Sequence, residues 1–151
     1  MMKAIKYTVG LLVVVGLLFG LFTAYVNGVG GIYPHDHGEL DVTVDGESIN
    51  FDQSEHHNQH PTFHFHEGYG QTWHHHPESP LQPWEFERMT VAEALATLDM
   101  AVTESTFTLD GTTYDDDHSE TTVEIEVNDT SINPQEHLIH DEDYISITVE
   151  S

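Results

Sequence analysis

The sequence predicts an α+β fold, mostly antiparallel β-hairpins with one short helix, following an N-terminal transmembrane helix. Three observations carry that reading. Residues 7–26 (YTVGLLVVVGLLFGLFTAYV) contain no charged side chain. Alternating apolar runs broken by Asp-Gly or Asn-Asp recur through the rest of the chain, the pattern of tight hairpins. Only one segment, "TVAEALATLDM", joins a capping signal to helical spacing of its apolar residues.

The elements follow in chain order. An uncharged stretch of about 20 residues spans the hydrocarbon of a bilayer as a helix. Lys3 and Lys6 precede it and no Lys or Arg follows until Arg88. The positive-inside rule then sets a cytoplasmic tip (1–6), a single-pass anchor (7–26), a Gly-rich linker (27–34) and an extracellular domain (35–151) at the cell membrane. "DVTVDGESINF" (41–51), "STFTLDGTTYD" (105–115) and "TVEIEVNDTSIN" (122–133) each read as a hairpin. Residues 62–76 supply a fourth, looped at Glu67–Gln71. Thr90 and Glu93 form a capping box ahead of Val91, Ala94, Leu95 and Leu98, one apolar stripe to lay on a sheet. Tyr144, Ile145, Ile147 and Val149 read as a closing, largely buried strand. The total is seven to nine strands and one helix.

Beyond the anchor, a single cation, Arg88, stands against 27 carboxylates, a formal charge of −26. Such a domain repels itself in dilute buffer, and molar salt, with a Debye length of about 3 Å, removes most of that penalty. The composition is that of a chain adapted to brine, as in halophilic archaea, and it excludes nucleic acid as a partner. With no cysteine, thiolate metal sites and thiol chemistry are also excluded, so any transition-metal ligand must be His, carboxylate or Met.

The histidines are concentrated. "PTFHFHEGYGQTWHHH" (61–76) holds five of the chain's 13. With a five-residue loop, Phe65 falls opposite Trp73 and His64 opposite His74. Phe63, Phe65 and Trp73 then share one face, joined by His75, while His64, His66, His74 and His76 share the other. A slip of one residue would put Trp73 among the imidazoles. Opposed Cβ atoms lie about 4.5–5.5 Å apart, close enough for two or three imidazoles to converge on one ion. His35 and His37 repeat the His-x-His spacing at the base of the first strand and are candidates for the same site. Imidazole donors suit a divalent transition metal, Zn or Cu first and Ni next. His56, His57 and His60 read as a loose collector in a loop, and His118, His137 and His140 as scattered surface residues. The acidic surroundings predict raised histidine pKa values, and therefore metal affinity that falls steeply below neutral pH.

"HFHEGYGQTWHHH", followed by "TVAEALATLDM" and a strand–Asp-Gly hairpin, resembles a group of uncharacterised secreted or membrane-anchored archaeal and bacterial domains carrying His-x-His, a Gly-containing turn and a second His-bearing strand. The tail "NDTSINPQEHLIHDEDYISITV" resembles the end of β-grasp domains. His64 and His66 match the start of the cupin motif His-x-His-x(3,4)-Glu, but Gly70 and Gln71 occupy the positions its Glu requires. The leading expectation is a membrane-anchored extracellular protein that captures a divalent transition metal and hands it to a transporter or another surface protein. The alternatives are a metal-dependent hydrolase using Glu67 or Glu78 as base and a surface protein-interaction domain. With no HExxH and no G-x-S-x-G, a binding protein is favoured over an enzyme.

Overall fold

The computed structural model describes residues 13–23, 34–79, 82, 86–118 and 120–151. Among these, helix α1 covers 13–23. Ten strands follow: β1 (Asp36–Val44), β2 (Glu47–Ser48), β3 (Phe63–Phe65), β4 (Thr72–His75), β5 (Ala101–Val102), β6 (Thr106–Leu109), β7 (Thr112–Asp115), β8 (Thr122–Val127), β9 (Thr130–Ser131) and β10 (Tyr144–Glu150). Helix α2 (Val91–Ala96) lies between β4 and β5.

The turns establish the local geometry. Asp45-Gly46, Asp110-Gly111 and Asn128-Asp129 hold both central residues at φ between 50° and 81°. Such paired positive angles carry the twist that flanking strands need. They join β1 to β2, β6 to β7 and β8 to β9. β3 and β4 pair antiparallel with Phe65 opposite Trp73 and His64 opposite His74, so the aromatic and histidine sets take opposite faces.

The larger sheet runs β3-β4-β1-β10-β8-β9, with β2 added beside β1, while β5-β6-β7 form a second, smaller sheet. β10 is central. It pairs parallel with β1 and antiparallel with β8. Its alternation places Ile145, Ile147 and Val149 in one buried layer with Leu40 and Val42 of β1 and Val123, Ile125 and Val127 of β8. Val91, Ala94 and Leu95 of α2 join that core, as do Phe51, Phe63, Phe65 and Trp73.

Two expectations are corrected here. The fold is mostly β, with 37% strand and 16% helix, and is not α+β. Thr90 caps α2 through both halves of its capping box, but the helix runs for only six residues. Asp99 then turns to φ 59°, so the apolar stripe continues through Leu98 and Met100 outside the helix. Fewer than two turns make a plug on a sheet and not a layer of their own. The membrane anchor, and with it the cell-membrane localisation, is also overturned: among the described residues no helix is long and apolar enough to cross a membrane. The tip (1–6), the flanks of the expected span (7–12 and 24–26) and all of the linker except Pro34 lie outside the described residues.

Candidate metal centre

Strand pairing builds a histidine face that spans three strands. His64 of β3 lies opposite His74 of β4, which lies opposite His37 of β1. One pleat further along, the β1–β4 register brings His35 beside His76, with ring centroids 5.2 Å apart. His66 follows β3, its ring 4.6 Å from that of His74. All six imidazoles singled out in the sequence therefore border one surface of the sheet. His74 is central: its ring lies 4.7 Å from His37, 5.5 Å from His35 and 6.1 Å from His64. Tyr69, from the β3–β4 loop, closes one side at 5.6 Å from His74.

The nitrogen positions are more informative than the rings. His35, His37 and His74 each offer a ring nitrogen such that the three atoms lie within 4.8 Å of one another. His74 Nδ1 is 3.4 Å from His35 Nε2, and His64 Nε2 is 3.2 Å from His66 Nε2. Two ligands held tetrahedrally at about 2.0–2.1 Å from one ion stand about 3.3 Å apart. The imidazoles are thus already at ligand spacing in pairs, and three converge.

Neighbouring carbonyls and a carboxylate orient them. His64 Nδ1 donates to the carbonyl of His60 at 3.0 Å, which leaves Nε2 with its lone pair toward His66. His76 Nδ1 donates likewise to the carbonyl of Pro77 at 2.8 Å. The backbone N–H of His37 donates to Asp141 Oδ1 at 2.9 Å, and that oxygen is 3.9 Å from His37 Nδ1. A metal-ligating histidine ordinarily uses its second nitrogen this way, toward a carbonyl or carboxylate. His74 Nε2, in contrast, is buried with no hydrogen-bond partner. The same holds for His56 Nδ1, His57 Nε2, Trp73 Nε1 and His75 Nδ1, so an unpartnered buried nitrogen, a cost of about 1–3 kcal/mol, does not by itself mark a ligand.

The expected rise in histidine pKa is reversed at His35, His64, His74 and His75. His74 and His35 are lowered to about 4, first by burial and then by neighbouring imidazoles, chiefly His37 in both cases. His64 is lowered too, by burial and then by His66 and His76. Carboxylates spread over the surface act through water and are screened, whereas burial and an adjacent ring act directly on the proton. The pH expectation changes with it. Ligation needs neutral imidazole, and a proton competes only as pH falls toward the lowered values. Between about pH 8 and 4, protonation of His35 and His74 should therefore cost Zn(II) affinity only toward the lower end. A calorimetric titration series across that range, with side-chain ¹⁵N shifts followed at both residues, checks this, and protonation of His35 or His74 near the ordinary imidazole value of about 6.5 would contradict it.

His75, on the opposite face, is buried against Phe86 and Phe63 and is lowered to about 4 by burial and then by Arg88. His56 packs on Phe51 and His57 bridges to Phe65, so these two brace the core edge and do not form a loose collector. The sequence reading missed three features. Gly38 sits opposite Trp73. Arg88 pairs at 3.0 Å with the buried Asp36. His137, His140 and Asp143 form a second convergent group, whose only sequence signal was the spacing His-x-x-His-x-x-Asp.

The fold and site define a mostly β domain bearing a polyhistidine sheet face. No family model matches the chain, and no curated protein or solved structure matches it.

Proposed function

We propose that the histidine face binds a divalent transition metal, Zn(II) or Cu(II), with His35, His37 and His74 as the first ligands and His64, His66 and His76 completing or extending the set. The observation that carries this reading is the convergence of three ring nitrogens, one each from His35, His37 and His74, within 4.8 Å of one another on a face built from three strands. His35 packs its ring on His37, His74 and His76 yet keeps an exposed edge, and the side chain of His37 is 45% exposed, so a bound ion is reachable from solvent. Structural metal sites are closed, while an open position allows ligand exchange. The arrangement suits a protein that captures an ion and passes it to a partner with competing ligands.

The test is titration of the untagged full chain with Zn(II) and with Cu(II) in molar NaCl, followed by metal analysis after desalting. Retained ions are expected, together with side-chain ¹⁵N shifts at His35, His37 and His74. A chain that leaves desalting without metal, with those nitrogens unshifted, overturns the proposal.

A further inference from the structure

We infer that the chain carries a second, separate divalent-metal site, built from His137, His140 and Asp143 in the segment entering β10. One ligand atom from each of the three lies within 4.8 Å of the others. The His137 and His140 rings are 6.4 Å apart, and His140 Nδ1 is 3.8 Å from Asp143 Oδ2.

The segment is held from below. Ile139, between the two histidines, is fully buried, and its N–H donates to the carbonyl of Met89 at 2.9 Å. The carbonyl of His137 accepts from Val91 N–H at 3.0 Å, and Leu138 bridges to Thr90. The carboxylate is fixed as firmly. Asp143 is 7% exposed; Oδ2 accepts from His140 N–H at 2.7 Å and Oδ1 from Asn128 Nδ2–H at 2.8 Å. Each oxygen keeps a further lone pair, and these donors play the part that outer-shell partners play for a ligating carboxylate. The turn is also tied to β1, through Glu39 N–H to the carbonyl of Asp143 at 2.9 Å.

Two imidazoles and one carboxylate form a donor set that leaves coordination positions open for water or an incoming ligand. Its mixed nitrogen and oxygen character suits Zn(II), Co(II) or Fe(II). Its ligands are distinct from those of the histidine face, although the same turn reaches His37 through Asp141 and the Glu142 N–H.

The test is titration with Co(II), monitored by visible absorption and metal content, on the full chain in molar NaCl. Three proteins are compared: the native chain, a His137→Ala/His140→Ala variant, and a His35→Ala/His74→Leu variant. The His137/His140 variant is expected to bind one ion fewer per chain than the native protein. The His35/His74 variant should retain that ion, with side-chain ¹⁵N shifts confined to His137 and His140. Far-UV circular dichroism confirms that each variant is folded. Equal stoichiometry and affinity in the His137/His140 variant and the native chain overturns the second site, and leaves the histidine face to be judged by the other variant alone.

Discussion

Exchanging His74 for leucine is expected to abolish Zn(II) uptake by the histidine face while leaving the chain folded. Leucine occupies a comparable volume at a position that is 6% exposed in β4, so the substitution removes two nitrogens without opening a large hole. In the native chain without metal, the partnerless Nε2 is a liability of about 1–3 kcal/mol. Leucine relieves it, so the metal-free variant should be no less stable than the native protein by more than about 1.5 kcal/mol. The contrast comes with zinc. An ion that binds only the folded state stabilises by about 2.7 kcal/mol at 100 times its Kd, and that increment should vanish in the variant. Loss of a direct ligand should exceed the roughly 10–100-fold that changes to outer-shell partners cost. Thermal melts with and without Zn(II) provide the measurement. His118→Ala, on a side chain 76% exposed, is the control and should keep the full shift. An undiminished zinc shift in His74→Leu would place the ion elsewhere.

Local features of the sequence carried much of the hairpin geometry. The I′ turns need two residues that tolerate positive φ, and Asp-Gly or Asn-Asp provides them within two positions. The β3–β4 register was legible because three large aromatics can be buried together in only one pairing, which leaves His64 and His74 on the other face. How His35 and His37 come to lie beside β4 was not legible. That depends on β1 pairing with strands about 30 and 100 residues away, and parallel pairing with β10 has no turn to announce it. The helix was overread because Leu98 and Met100 extend the apolar stripe, yet they do so from a turn at Asp99. The pKa direction was misjudged for a related reason. Net charge can be read from composition, but the burial of His74 between two strands cannot, and burial dominates.

Gly38→Ala should be the most damaging single substitution, costing more than the roughly 1–3 kcal/mol typical of overpacking. A Cβ at Gly38 would meet the indole of Trp73 and the backbone oxygen of Asp143, both well inside contact distance. Neither can yield readily. Trp73 is fully buried and stacks on Phe63 at 5.7 Å, beside the Phe51–Phe65 stack at 4.7 Å. The Asp143 oxygen already accepts the Glu39 N–H at 2.9 Å, so moving it breaks the tie between β1 and the turn before β10. A loss of this size is a large part of the roughly 5–15 kcal/mol that stabilises a small domain. Urea unfolding in molar salt should show a much reduced midpoint or no cooperative transition, and zinc binding should be lost with it. That joint loss is what separates Gly38→Ala from His74→Leu, which removes the ion and keeps the fold. The link is physical: the missing side chain at Gly38 is the space in which Trp73 is buried. The burial of Trp73 is in turn what directs its neighbour His74 to the opposite face, between His64 and His37. Near-native stability in Gly38→Ala would mean that the indole does not occupy that space, and the register that assembles the histidine face would lose its main support.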